Sequence, residues 1–204
     1  MEAALLLMVD RGMPNSVQRW LDRFAQDNDR AVLPPWRLLR AVCAGHEAVV
    51  RTLADHAAVE NVAELMFRPH PDAGNAVHEA CRRGHLTILQ FILSMDGCAP
   101  AVNATLSQND ISLTTLDLAV GGRRQDIALC LLRSEPFTAV NARDSAQQTA
   151  LHMACRGRLQ ETAVAIIQHP NFTQHHLETS YGKTALMLAE ELELPLVLEA
   201  LAAF

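Results

Sequence analysis

The sequence repeats itself, and this repetition restricts the chain to folds built from copies of one small unit. In five segments, an alanine is followed by a polar turn and then by an apolar stretch. The alanines are Ala41, Ala80, Ala119, Ala154 and Ala189, so successive copies are 39, 39, 35 and 35 residues apart. Such a period is typical of repeat proteins, in which each copy is one supersecondary unit.

Each copy also carries an apolar stripe with helical spacing. The positions eight and twelve residues after each alanine lie four apart, and residues four apart share one face of a helix. Nine of these ten positions are aliphatic and one is a threonine: Val49, Leu53, Ile88, Ile92, Ile127, Leu131, Thr162, Ile166, Val197 and Leu201. The small alanine would let two helices approach each other closely. Because so short a copy cannot bury its own stripe, we expect neighbouring copies to stack.

Composition favours a helical protein and limits the class of partner. Half of the 204 residues are apolar but only 4% are aromatic, which suits closely packed helices made from small and aliphatic side chains. The net charge of -6 provides no overall attraction to nucleic acid or to an anionic bilayer. We therefore expect neither nucleic acid nor a membrane to be the partner.

The cysteines indicate a reducing compartment. They are odd in number and form no CxxC pair: Cys43, Cys81, Cys98, Cys130 and Cys155. Free thiols and a cytoplasmic location are therefore expected. The apolar run at residues 4–9 is flanked by Glu2, Asp10 and Arg11, so we do not interpret it as a secretion signal. No segment approaches the roughly 20 apolar residues of a membrane-spanning helix.

Three stretches resemble the ankyrin repeat, whose pattern is T-P-L-H-x-A followed by a Gly-His turn and a second helix. They are TALHMA at 149–154, GKTALMLA at 182–189 and RRGHLTILQFIL at 82–93. The resemblance implies an all-α fold, an ankyrin-repeat solenoid of stacked helix-turn-helix units with short hairpin loops. It extends over residues 33–204, as an array of about five units. Residues 1–32 are expected to form an N-terminal helical cap or a degenerate first repeat.

The departures from the ankyrin pattern predict insertions. The spacings exceed the family period of about 33 residues, which indicates extra residues between one unit's second helix and the next unit's first helix. The longest stretch that reads as loop is residues 95–110, where we expect a longer finger. The motif histidine is retained in only two units and is replaced by Leu39, Asp117 and Met187 in the others.

A histidine and a cysteine three residues apart, His152 and Cys155, raise the question of a thiol active site. A nucleophilic cysteine needs a low pKa, an exposed sulfur and a base within hydrogen-bond reach. His78 and Cys81 repeat the same spacing in another unit, as a scaffold does and a single active site does not. The resemblance implies that the histidines hold hairpin backbone and that the thiols pack between helices. We expect no enzyme activity, no catalytic residue and no cofactor, with a thiol hydrolase as an alternative hypothesis.

Other motifs for chemistry are incomplete. His169, His175 and His176 are close in sequence, but structural zinc needs four convergent ligands, usually including paired cysteines. We therefore expect no metal site and solvent-exposed histidines. The segment GGRRQD at 121–126 lacks the Lys-Thr end of a phosphate-binding loop and is expected on the turn between two helices.

The resemblance places partner binding on the hairpin tips and on the solvent side of the first helices, along a concave groove. Six arginines map there or to the adjacent turns, and arginine suits carboxylates. The hypothesis is a non-enzymatic module that binds a partner protein or an acidic peptide segment; the alternative is that these arginines are ordinary solvated turn residues. The predicted partner-binding residues are Arg82, Arg83, Arg123, Arg124, Arg156, Arg158, Asp72, Leu113, Gln148, Tyr181 and Lys183.

Two further hypotheses concern the biological setting and the partner. The chain is rich in alanine and arginine and has one lysine, Lys183, a bias typical of a high-GC genome. A bacterial ankyrin-repeat effector, delivered into a host cell and acting on host proteins, would fit that bias. A nucleic-acid binder would use the arginine row and would show steep salt dependence. By itself the chain is expected to be monomeric.

Overall fold

The fold is described from a computed structural model of the chain, which covers residues 2–27, 35–56, 62–70, 74–108 and 111–204. The chain divides into two compact units, residues 1–101 and 102–204. Within the described ranges, no helix is both long enough and apolar enough to cross a membrane.

The first compact unit is built from helix pairs in which two short helices are joined by a tight turn. Its first helices contact one another (α1 with α3, α3 with α6), as do its second helices (α2 with α4, α4 with α7). An additional helix, α5, is inserted between two pairs and contacts α3 and α6. The helices are α1 (Glu2–Asp10), α2 (Pro14–Asp27), α3 (Pro35–Ala44), α4 (Glu47–Asp55), α5 (Val62–Phe67), α6 (Ala76–Arg83) and α7 (Leu86–Leu93).

The second compact unit repeats this construction. The first helices α9, α11 and α13 pack side by side, and the second helices α10, α12 and α14 do the same. Its helices are α9 (Thr115–Gly121), α10 (Gln125–Leu132), α11 (Ala150–Arg156), α12 (Gln160–Ile167), α13 (Ala185–Glu191) and α14 (Pro195–Ala202), with a 3-10 turn at Ala139–Asn141.

The segment expected to be loop at residues 95–110 is partly regular. It contains a short helix, α8 (Ala99–Val102), and a strand, β1 (Thr105–Gln108), which pairs antiparallel with β2 (Ile111–Thr114). The expectation of a simple loop is therefore wrong for these residues, because backbone pairing across the hairpin satisfies their polar groups. The expectation of a longer finger is confirmed, since β1 and β2 pair over four residues each.

The periodic positions form the core. All five template alanines are 0% exposed, and the positions eight residues later are all buried. Of the positions twelve residues later, four are buried and Leu201 is partly exposed. The stacking predicted from the apolar stripes is thus observed within each compact unit, and burial of these aliphatic side chains is the main driving force for the fold.

The N-terminal residues also form a helix pair. Helices α1 and α2 are joined at Gly12, whose φ of +61° suits glycine, and Leu21 on α2 is fully buried. Whether this pair is a cap or a degenerate repeat stays a prediction, because the proposed boundary between residues 32 and 33 lies outside the described residues.

Candidate functional site

Two hairpins in the second compact unit precede α11 and α13. Each is closed by an isolated bridge, between Arg143 and Thr149 in one and between Glu178 and Thr184 in the other. The hairpins are joined to each other, because the Ser180 amide donates to the Ala146 carbonyl at 3.0 Å and Arg143 Nη2 donates to the Glu178 carbonyl at 2.6 Å. This backbone linkage fixes the second hairpin relative to the first.

His152 connects the first hairpin's helix to the next hairpin. Its Nδ1 accepts from the Thr149 amide at 3.2 Å and lies 2.9 Å from Thr149 Oγ1. Because Nδ1 accepts, the proton resides on Nε2, which donates to the Leu177 carbonyl at 3.0 Å. The predicted role of His152 in holding hairpin backbone is confirmed. At the equivalent place in the first compact unit, His78 bonds with Asn75.

Polar and aromatic side chains project from this framework, and we call five of them the hairpin surface. Arg156 is exposed and its Nη1 donates to Gln148 Oε1 at 2.6 Å. The equivalent pair 35 residues later is Lys183 and Glu191, which form a salt bridge. Tyr181, at a hairpin tip, is 82% exposed. The hairpin surface comprises Gln148, Arg156, Tyr181, Lys183 and Glu191.

In the first compact unit, Arg82 and Arg83 share a buried carboxylate that the sequence analysis did not single out. The Glu79 side chain is 0% exposed. Its Oε1 accepts from Arg82 Nε, and its Oε2 accepts from Arg83 Nε, both at 2.8 Å. Cys43 Sγ donates to the same Oε2 at 3.0 Å. Both guanidinium groups are therefore held in place, and part of their charge is neutralised.

The ionisation of this cluster follows from its hydrogen bonds. Burial alone would raise the pKa of the Glu79 carboxyl, but its bonds with the two arginines and the thiol hold that pKa below 4.5. Burial and the neighbouring carboxylate raise the pKa of Cys43 to about 11. Glu79 is therefore a carboxylate, and Cys43 is a protonated thiol that donates a hydrogen bond to it.

The remaining predicted binding residues occupy different settings. Arg123 and Arg158 are exposed on the turns between helices, which confirms the expected place of GGRRQD. Arg124 Nη1 donates to the Gly122 carbonyl at 3.1 Å. Leu113 is half-buried on β2, and Asp72 lies outside the described residues. The structure thus brings Gln148 and Arg156 together, and separately Arg82 and Arg83.

The His152 and Cys155 pair is not arranged as a nucleophile and its base. Cys155 is fully buried, and burial raises its pKa to about 12. Burial also lowers the pKa of His152, and both ring nitrogens already have partners in Thr149 and Leu177. A buried neutral thiol beside an occupied imidazole is unreactive, so this pair gives the thiol hydrolase hypothesis no support.

The three C-terminal histidines do not converge. His175 and His176 are exposed, as expected. His169 is buried, so the expectation of exposure is wrong there, because its ring packs edge-on against Phe137 at a centroid distance of 5.9 Å. Among the described residues, no group of three or more histidine, cysteine or acidic side chains is placed to hold a metal ion.

Comparison with known proteins identifies the fold. No protein-family model matches the sequence, and neither does any curated protein. The structure is similar to a crystal structure of the ankyrin repeat domain of Bcl-3, described as a unique member of the IkappaB protein family, with a TM-score of 0.67 over 97% of both chains. The chain has an ankyrin-repeat fold. At 17% sequence identity, the similarity of this ankyrin-repeat structure to Bcl-3 concerns the fold alone.

The sequence also contains a signal, not recognised above, for asparagines that link the loops of successive repeats. The letters AVNA occur at 101–104 and again at 139–142. Asn103 Oδ1 accepts from the Thr138 amide at 2.7 Å, and Asn141 Nδ2 donates to the Asn171 carbonyl at 2.6 Å. Each asparagine therefore connects the loop of one repeat to that of the next.

Proposed function

We propose that this protein is a non-enzymatic interaction module that binds a partner protein through the hairpin surface. The observation that carries this proposal is the exposure of Tyr181 at the tip of a hairpin that is fixed by backbone hydrogen bonds. An exposed aromatic side chain on a preorganised support loses little entropy on binding, and tyrosine is enriched among the residues that dominate interface energy. The ankyrin-repeat fold supports the proposal only by analogy.

We further propose that the partner contributes an acidic segment. Arg156 bonds to the neutral Gln148 side chain, so its positive charge stays available, whereas the charge of Lys183 is balanced by Glu191. A guanidinium with unused N–H groups can bind a carboxylate in a bidentate manner. In the first compact unit, Arg82 and Arg83 together balance one carboxylate and keep a net positive charge.

Site-specific photo-crosslinking tests the proposal directly. A photoreactive phenylalanine analogue replaces Tyr181 in one variant and the exposed Gln168, which directly follows α12, in a matched control. We expect a discrete crosslinked protein at position 181 in lysate of the source cells, no such product at 168, and loss of the product when R156A is added. Identical products at both positions, or none at 181, would contradict the proposal.

The cellular setting is proposed from chemistry alone. All five cysteines are free, which agrees with a cytoplasmic location in a reducing compartment. The hypothesis of a bacterial effector that acts on host proteins rests on composition. We propose that the isolated chain is monomeric, which light scattering would check.

A further inference from the structure

The turn between the two helices of each repeat has one backbone geometry, whatever its sequence. The fourth residue after the template alanine has positive φ in all five repeats: Gly45 (+73°), Gly84 (+82°), Arg123 (+55°), Arg158 (+56°) and Glu193 (+53°). The next residue has φ between -85° and -106° and ψ between 68° and 83°. The ankyrin Gly-His turn is thus retained in shape where its glycine is absent.

Positive φ is unfavourable for a residue with a Cβ atom. The glycines of the first compact unit show that the turn itself needs no side chain at this position. Arg123 and Arg158 therefore keep a strained backbone where glycine would be relaxed. Glu193 adopts the same φ, so strain by itself does not mark a binding site; Arg123 and Arg158 differ from Glu193 in carrying a positive charge that a ligand can use.

The two side chains are exposed, and the described part of the chain provides no partner for either of them. Neither Arg123 nor Arg158 forms a salt bridge or side-chain hydrogen bond with any residue that the structure describes. The carboxylates that follow them are Asp126 and Glu161, and Glu161 instead accepts from the Gln125 side chain. Both guanidinium groups are consequently available to an external ligand.

The two turns are also neighbours. Helix α9 contacts α11, and α10 contacts α12. Packed helices lie about 8–10 Å apart, so equivalent turn positions of these adjacent repeats are separated by about 10 Å. Two guanidinium groups about 10 Å apart match two carboxylates seven residues apart on one helix, because seven residues at 1.5 Å each also span about 10 Å.

We propose that Arg123 and Arg158, the turn arginines, bind two carboxylates of an acidic protein segment. The inference rests on the proposed function, because it specifies the chemistry of that partner and adds a second contact to it. Arginine fits the task better than lysine because its planar fork pairs with a carboxylate through two parallel hydrogen bonds. Two isolated arginines match two carboxylates better than the continuous row of phosphates of a nucleic acid, which needs a longer run of cations.

The test combines peptide binding with thermal unfolding. The probe is a fluorescein-labelled octapeptide of glutamate, and binding is followed by fluorescence anisotropy. The variants are R158G and the double variant R123G/R158G. E193G is the control for backbone relaxation, and R133A on the same compact unit is the control for loss of one exposed positive charge.

We expect the double variant to weaken peptide binding about tenfold or more, since it removes two charge-assisted contacts. E193G and R133A should stay within about twofold of the original protein. Both R158G and E193G should raise Tm by about 2–4 °C, because each relaxes a strained residue. Lost binding together with raised Tm is not expected of a residue whose role is structural.

Three outcomes would overturn the inference: no peptide binding by the original protein, unchanged binding by the double variant, or an equal loss in R133A. Tighter binding of a labelled DNA duplex than of the peptide, abolished in the double variant, would assign the turn arginines to nucleic acid instead. Crosslinking from position 181 is measured on protein that keeps both turn arginines and reports on the hairpin surface, so failure of the peptide test is distinguishable from failure of the proposed function.

Discussion

At the scale of single residues, Asp117 shows how one substitution changes the response to pH. It occupies the motif position at which two other repeats carry histidine, and its Oδ2 accepts from the Thr114 amide at 2.9 Å and from Thr114 Oγ1 at 2.8 Å. Burial raises its pKa from 3.8 to about 6. The helix start is thus capped by an acid that is protonated more readily in the folded state than in the unfolded chain.

This shift predicts that Asp117 lowers stability as the pH rises. Because the folded pKa exceeds the unfolded one, its favourable contribution is complete below about pH 4 and is lost by about pH 6, a change of up to about 3 kcal/mol in the free energy of unfolding. D117N keeps an oxygen acceptor and does not titrate. Urea unfolding between pH 4 and 7 should show the original protein losing stability relative to D117N. The prediction would be contradicted if the free energies of unfolding of the two proteins changed in parallel with pH.

Thr162 is the polar exception in the apolar stripe, and it predicts a stabilising substitution. Its side chain is 0% exposed, and Oγ1 has no hydrogen-bond partner among the described residues. Because an unsatisfied buried hydroxyl is costly, T162V should raise the free energy of unfolding by about 1–2 kcal/mol. Urea denaturation would measure the change. T162S keeps the hydroxyl and should give no gain; lower stability of T162V would count against this account.

At the scale of elements, the hairpin that precedes α13 is stabilised by the repeat before it. His152 on α11 donates to the Leu177 carbonyl, and Ser180 donates to the Ala146 carbonyl. The hairpin that carries Tyr181 therefore depends on a side chain of the preceding repeat. The Glu79 cluster works differently, because Glu79 binds two arginines of its own helix α6 and Cys43 of α3 rather than joining hairpins.

Removing the hydrogen bond from His152 to the Leu177 carbonyl should loosen one hairpin selectively. H152A leaves the Leu177 carbonyl without its donor and should cost about 1–3 kcal/mol of stability. Hydrogen exchange should accelerate at the amides of residues 178–184, whereas H175A, which alters an exposed ring, should leave them unchanged. Equal protection of these amides in H152A and the original protein would show that the histidine does not support the hairpin.

At the scale of the whole molecule, the structure changes the electrostatic interpretation of the arginines. Their sequence positions predict a row of six cations, but Arg82 and Arg83 share the buried Glu79 carboxylate. Lys183 is likewise balanced by Glu191. Of the six predicted arginines, the four without a carboxylate partner among the described residues are Arg123, Arg124, Arg156 and Arg158, all in the second compact unit. Sequence position alone could not distinguish these residues from the compensated ones.

The framework was largely predictable because its signals are local in the chain. The template alanines and apolar stripes fixed which helical faces are buried, and all five alanines are 0% exposed. The regular structure within residues 95–110 was not predicted, because β1 is stabilised by pairing with β2 rather than by an apolar pattern of its own. The burial of His169 depends likewise on Phe137, which is 32 positions away in the sequence.

The sequence by itself determined the repeat period, the helix pairs and the buried faces, since these follow from spacings of three to four residues along a helix. Only the tertiary structure decided which charges are balanced, which aromatic side chain is exposed and which turns keep arginine at positive φ. Those properties depend on side chains that are distant in sequence and meet only when helix pairs stack, and on a turn geometry imposed by the surrounding helices.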